Sequence, residues 1–311
     1  MPSPRFGLIG DPIATSRSPR LFAAAYRGRY PYDLIEGGDF AASWERFLSG
    51  YTAINVTAPF KEAALRAVAG SVRAGKGLIS GPCARIGATN LVVRHEDGSL
   101  DAHNSDFSGI LLCLASALLP GLVEEAMDTF GDRAHIKVHQ VLRESLPVLY
   151  PRTPQALVVG CGGAGKAAAV AAAECGFSTV LMNRTPERAQ ALADALPDYH
   201  FLPLPLSAFR TALRECDLVI YTLPGRIAQL DVLSDEDFLP ADEAGPGPRK
   251  ILLEANYKDP SFSGPLRTLM ETQGCQYIGG SRWHFYQAVT GYALMTGCQP
   301  DLRAMAAALP E

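Results

Sequence analysis

Apolar positions along the chain fall into short runs separated by polar, periodic stretches. The segments "FGLIG", "YDLIEG", "TAINV" and "TNLVV" read as strands, and "LFAAAY", "WERFL" and "KEAALRAVA" as helices between them. Strand alternating with helix predicts an α/β layer built on a mostly parallel sheet. A second series opens at "ALVVG" (156 to 160) and continues through an Ala-rich helix (164 to 175), the strand "STVLMN", a helix (186 to 195) and the strand "DLVIYTL". That order predicts a dinucleotide-binding βαβ succession. Leu111 to Pro154 reads as a charged, partly helical stretch whose end, "YPRTPQ", is a linker. The segment "PADEAGPGPRK" (240 to 250) reads as a surface loop.

The chain has 311 residues, 48% of them apolar and 19% charged, which predicts about two globular domains and excludes intrinsic disorder. No apolar run reaches the roughly 20 residues of a membrane helix, and Met1 to Ile13 lacks the pattern of a secretory signal, so a cytoplasmic protein is expected. Seven scattered cysteines without a CxxC spacing indicate neither a disulfide framework nor a zinc site. Net charge is −4, but residues 1 to 104 carry 12 basic and 9 acidic side chains, so the first part is mildly basic. That bias suits a small anionic ligand, and nothing resembles the clustered basic surface of a nucleic-acid binder.

Two groups of residues carry candidate chemistry. In "GCGGAG", Gly160, Gly162 and Gly165 fit GxGxxG between a strand and a helix, where glycines allow a tight turn and close approach of a pyrophosphate to the helix N-terminus. Gly163 and Ala164 complete that turn. The second strand ends not in Asp or Glu but in Asn183, Arg184 and Thr185, with Arg188 one turn on. A carboxylate there would repel a 2′-phosphate, whereas Arg184 can fork onto it and Thr185 can donate a hydroxyl, so NADP(H) is the expected cofactor.

The other group lies in the first hundred residues. Ser16 and Ser18 are two hydroxyls that can point at one carboxylate; Asn55 and Thr57 share a strand face; Pro59 is expected to open a helix with Lys61 in its first turn. Asn90 stands just inside a strand, Ser105 reads as an N-cap, and Asp106 sits at a helix start that favours its anion. A lysine and an aspartate so placed make a useful couple for moving a proton at a hydroxyl or carbonyl.

Taken together, "GDPIATSRSP", "NVTAPFKE", "GATN", "NSDFSG", "VVGCGGAGKA", "NRTPERA" and "YQAVTGYALMTG" resemble, in order and over nearly the whole chain, the motifs of the shikimate dehydrogenase family. The resemblance implies an N-terminal α/β substrate domain (1 to 104, completed by 282 to 311) plus a Rossmann-type doubly wound NADP-binding domain (105 to 281). It implies NADP-dependent, reversible reduction of 3-dehydroshikimate to shikimate, with Lys61 and Asp106 as the catalytic pair. By the same resemblance Ser16 and Ser18 hold the substrate carboxylate, and Thr57, Asn90, Tyr257 and Gln287 hydrogen-bond its hydroxyls or carboxylate. A monomer or homodimer is expected. Quinate or aminoshikimate dehydrogenase, and a catalytically silent NADP- or shikimate-binding regulator, remain alternatives.

This chain departs from the family pattern in places. Ser105 stands where Thr is usual, "YTLPG" (221 to 225) replaces the common Asn-Ala-Thr segment, and Trp283 and His284 replace apolar residues and are expected to form a packed helix start. His135 and His139, four apart, are expected to be surface residues rather than metal ligands.

Overall fold

The computed structural model describes residues 3–239 and 250–309. The chain forms two compact units, Met1–Ser108 with Gln287–Glu311, and Gly109–Tyr286. Both divisions fall a few residues beyond the boundaries expected from sequence, and they fall inside helices rather than in linkers.

The first unit contains β1 (Phe6–Gly10), α1 (Ser18–Ala25), β2 (Tyr32–Glu36), α2 (Phe40–Gly50), β3 (Ala53–Val56), α3 (Lys61–Arg73), β4 (Leu78–Ile79), α4 (Gly81–Ile86), β5 (Leu91–Arg94), β6 (Leu100–His103) and the first turn of α5 (Ser105–Leu118). Its sheet has the order β2-β1-β3-β5-β6-β4. β1 is buried at all five positions, as a strand covered on both faces must be. β5 runs antiparallel to β3 and β6, and a tight turn with His95 N–H donating to Ser99 O (2.9 Å) joins it to β6. Ile9, Ile54, Phe47 and Val68 anchor the core on one face.

The second unit continues with α6 (Leu122–Phe130), α7 (Ala134–Leu149), β7 (Gln155–Val159), α8 (Gly163–Cys175), β8 (Ser178–Met182), α9 (Pro186–Ala195), β9 (Leu202–Pro203), α10 (Phe209–Glu215), β10 (Leu218–Tyr221), β11 (Ile251–Glu254), α11 (Pro265–Thr272), β12 (Gln276–Ile278) and the start of α12 (Gly280–Thr296). The rest of α12 and α13 (Leu302–Ala308) return to the first unit. There the Tyr292 ring meets Phe22 edge-on at 4.8 Å and its hydroxyl donates to Ser18 O.

All five strand pairings of the second sheet are parallel, in the order β12-β11-β10-β7-β8-β9. The chain reverses direction across the sheet between β7 and β10, the position where open α/β sheets bind ligands at the carboxyl ends of their strands. The fold is therefore the expected pair of α/β units, the second doubly wound.

Two local expectations change, and a third falls mostly outside the described residues. The stretch 111 to 154 is almost wholly helical, with α7 burying Val138, Leu142 and Leu146, so only its last few residues connect. Pro147 lies inside this helix, directly after Leu146, the last of its buried positions. The loop expected at 240 to 250 lies outside the described residues except for Lys250, which is buried. Its ammonium donates to the carbonyls of Leu213 and Cys216, where α10 ends and its dipole is negative. His135 and His139 are half-buried, bonded through ring nitrogens to the carbonyls of Asp132 and Glu174. No group of three His, Cys, Asp or Glu able to hold a metal occurs among the described residues.

Near α10, Asp237 is fully buried and accepts from Arg210 Nε (2.7 Å), Arg214 Nε (2.6 Å), and the amide and hydroxyl of Ser234. Burial alone would raise its pKa, but these donors outweigh it and hold the carboxyl down at about 2. No helix among the described residues is long and apolar enough to cross a membrane.

Candidate active site

β3 and β6 flank the antiparallel β5 and so run parallel to each other, about 10 Å apart at ordinary strand spacing. The helices that follow them, α3 and α5, consequently begin on the same edge of the sheet. Lys61 is the first residue of α3 and Asp106 the second of α5, and the long lysine stem closes the gap. Lys61 Nζ donates to Asp106 Oδ2 at 2.5 Å, with side chains only 13% and 7% exposed. At that burial the pair is screened little by solvent, and removing either partner leaves an uncompensated charge.

Asn90, just ahead of β5, braces the aspartate. Its Nδ2 donates to Asp106 Oδ1 (3.0 Å) and to Ser105 Oγ (3.1 Å), and its Oδ1 accepts from Ser105 N (2.7 Å). The orientation of the amide follows from chemistry, since the carboxylate only accepts and the backbone N–H only donates. Ser105 is thus not the cap of α5. It is the first helical residue, and Asn104 caps instead, its Oδ1 accepting from Phe107 N at 3.2 Å. Likewise Pro59 does not open α3; it lies in the turn before Phe60, the residue at the cap position.

Ser16 and Ser18 do converge, with the Ser16 hydroxyl 3.2 Å from that of Ser18. Ser18 is the first residue of α1 and is buried. Tyr32, which sequence did not single out, connects through Asn55 to Asn90. The buried Tyr32 hydroxyl, whose pKa burial drives far up, donates to Asn55 Oδ1 at 2.8 Å, and Asn55 Nδ2 reaches Asn90 O at 3.4 Å. Tyr32 gave no signal in sequence because its value depends on a partner 23 positions away. Gly291 in α12 packs on Ser105, where a Cβ would come 3.1 Å from the serine hydroxyl. Thr57 stands one residue past β3, and Gln287 lies half-buried on the part of α12 that belongs to this unit. Tyr257 is in the second unit, after β11, its ring 5.3 Å from that of His284. Trp283 and His284 are buried in the first turns of α12.

In the second unit the glycine turn joins β7 to α8. Gly160 has φ +108°, open to glycine but strained for other residues. A Cβ on Gly165 would sit 1.8 Å from Gly160 O, so the helix can press against the strand end only without one. Gly162 caps α8, and a Cβ there would meet nothing within 4 Å. Its hydrogen atoms therefore serve no packing need of the chain itself. An unobstructed approach to the N-terminal amides of Gly163, Ala164 and Gly165 fits a pyrophosphate.

Asn183 is buried and braces this turn, accepting from Cys161 N (3.2 Å) and donating to Thr185 O (3.0 Å). Both ends of its amide are engaged by the protein. Arg184, Thr185 and Arg188 are exposed together at the start of α9, with Glu187 supplying the carboxylate that a helix N-terminus favours. Arg184 Nη2 donates to the carbonyls of Pro224 (3.3 Å), Gly225 (3.1 Å) and Arg226 (3.2 Å).

Comparison with known proteins agrees with this pattern. Residues 148–236 match the family described as shikimate / quinate 5-dehydrogenase. Shikimate dehydrogenase (NADP(+)) of Moorella thermoacetica is 30% identical, over 98% of this chain and 92% of the relative. The protein of the same description from Acidiphilium cryptum is 31% identical, over 94% and 91%. Among solved structures, shikimate 5-dehydrogenase of Thermus thermophilus, in complex with NADP(H) and shikimate, superposes with a TM-score of 0.64 at 26% identity, covering 98% of each chain. On its sequence, its fold and its near-complete coverage of these relatives, the chain belongs to the shikimate dehydrogenase family.

Proposed function

We propose that the protein is an NADP-dependent shikimate dehydrogenase that reversibly reduces 3-dehydroshikimate to shikimate. The observation that carries this reading is the buried Lys61–Asp106 pair, held at two helix starts and braced by Asn90. A silent binding protein has no use for such a couple.

Bound NADPH supplies the hydride that reduces the ketone carbon. As negative charge develops on the ketone oxygen, the Lys61 ammonium stabilises it and delivers the proton that makes it a hydroxyl. In the reverse direction the Lys61 amine takes that proton. Asp106, fixed by Asn90 through one oxygen and by Lys61 through the other, sets the lysine's direction and accepts from the substrate hydroxyl. Ser16 and Ser18 hold the substrate carboxylate, and Thr57, Asn90, Tyr257 and Gln287 bind its remaining polar groups. The amides at the start of α8 receive the cofactor pyrophosphate, and Arg184, Thr185 and Arg188 receive its 2′-phosphate.

The test is spectrophotometric, following nicotinamide reduction with shikimate or quinate and NADP⁺ or NAD⁺. The expected outcome is that shikimate with NADP⁺ has the highest kcat/KM of the four pairs. A higher value with quinate would reassign the substrate, and one with NAD⁺ the cofactor.

A further inference from the structure

The end of β10 and the turn after it are one place where this chain departs from the family pattern, with Tyr221 opening "YTLPG" in place of the common Asn-Ala-Thr. Its geometry gives the departure a purpose. Tyr221, the last residue of β10, is buried, with its ring edge-on to Phe262 at 5.4 Å and its hydroxyl donating to Gly225 O at 2.7 Å. That contact draws the chain back on itself over four residues, a path that Gly225 follows with φ +91°. Arg226 points the other way, tied to Ser261 O and to Asp231 Oδ1 (2.7 Å). The carbonyls of Pro224, Gly225 and Arg226 are thereby turned to one point, and Arg184 Nη2 occupies it.

The consequence for Arg184 is directional. An exposed arginine at a helix start ordinarily samples many rotamers and loses that freedom when it grips an anion. Here one terminal nitrogen is already fixed by three acceptors. The remaining nitrogens make no hydrogen bond among the described residues, and they are the donors a phosphate needs for a forked contact. The same segment also touches the glycine turn, since Thr222 Oγ1 lies within hydrogen-bond distance of Gly160 O (3.3 Å) as well as of Val159 O (3.1 Å).

We infer that Tyr221 is a positioning residue for cofactor selection: through Gly225 it shapes the carbonyl cradle that holds Arg184 ready for the 2′-phosphate. This rests on the reading of Arg184 as the 2′-phosphate ligand. Tyr221 itself touches neither phosphate nor nicotinamide in this scheme, so its effect is confined to discrimination.

The experiment compares the Tyr221→Phe and Arg184→Ala proteins with the native one, by calorimetric binding of 2′,5′-ADP and of 5′-AMP, and by the KM ratio for NADP⁺ and NAD⁺. Removing the Tyr221 hydroxyl is expected to weaken 2′,5′-ADP about three- to tenfold, the worth of one lost hydrogen bond, with 5′-AMP unchanged and kcat retained. Arg184→Ala is expected to abolish the preference for 2′,5′-ADP. If Tyr221→Phe leaves both ligands unchanged, or weakens both alike, while Arg184→Ala removes the preference, the role of Tyr221 is overturned and the Arg184 reading stands. If Arg184→Ala keeps the preference, the Arg184 reading fails and the inference falls with it. Gly225→Ala provides a second perturbation of the cradle, strained by its φ, and is expected to reproduce the selective loss.

Discussion

Lys61 and Asp106 hold each other directly, Nζ to Oδ2 at 2.5 Å. Lys61→Met keeps the apolar stem but removes the ammonium, and kcat is expected to fall by about 10² to 10⁴, the ordinary worth of a general acid–base group. Binding of 2′,5′-ADP measured by calorimetry is expected to be unchanged, because that site is built from other residues. Near-native turnover in a folded Lys61→Met protein would remove the lysine from the mechanism. Tyr32 offers a quieter test. Tyr32→Phe leaves the half-buried Asn55 Oδ1 without its 2.8 Å donor, and a loss of about 0.5–1.5 kcal/mol in unfolding free energy is expected from denaturant titration. Lys61 and Asp106 stood out in the sequence through their places at predicted helix starts within family-like motifs, but their meeting was not legible, because the contact spans 45 positions. The partnerships of Tyr32, Asn55 and Tyr221 were not legible either, because a tyrosine or asparagine beside a strand looks the same whether or not it has found a partner. Ser105 misled for a related reason: its neighbour Asn104 has equal capping chemistry, and only the backbone decides which of them lies outside the helix.

The turn from β7 into α8 contains glycines with opposite reasons for being glycine. Gly165→Ala places a methyl 1.8 Å from Gly160 O, so both the melting temperature and 2′,5′-ADP affinity are expected to fall. Gly162→Ala meets no atom of the protein, so affinity is expected to fall while the melting temperature stays within a few degrees. Equal stability loss in the two variants would contradict this division. The loop between Ile227 and Leu239 is stabilised differently, by charge. Because the carboxyl of Asp237 titrates at about 2 instead of the usual 3.8, its contribution is complete above about pH 4 and is lost as pH falls toward 2. Asp237→Asn is expected to cost about 2 kcal/mol at neutral pH and progressively less below pH 4, read from denaturant midpoints against pH. Elements with strong periodicity or a glycine signature were readable from sequence. The Asp237 cluster was not, since its two arginines lie more than 20 positions upstream with nothing nearby to single them out.

At the scale of the whole chain, the alternation of strand and helix announced two α/β units, and the C-terminal motif implied that the first is completed from the far end. The divisions expected at 104/105 and 281/282 fall a few residues further on, within α5 and α12. One helix, α12, contributes to both units: Trp283 belongs to the second and Tyr292 to the first. This arrangement sets an order on biosynthesis. The strands of the first unit leave the ribosome early, yet Tyr292, Gly291 and Gln287, which complete it, follow only after the roughly 180 intervening residues of the second unit. At about 5–20 residues per second that wait is roughly 10 to 35 s, long enough for the nucleotide-binding unit to fold first. A nascent chain arrested with residue 286 just outside the exit tunnel is expected to be retained on immobilised 2′,5′-ADP while its N-terminal strands stay open to protease, and release of the last helices closes them.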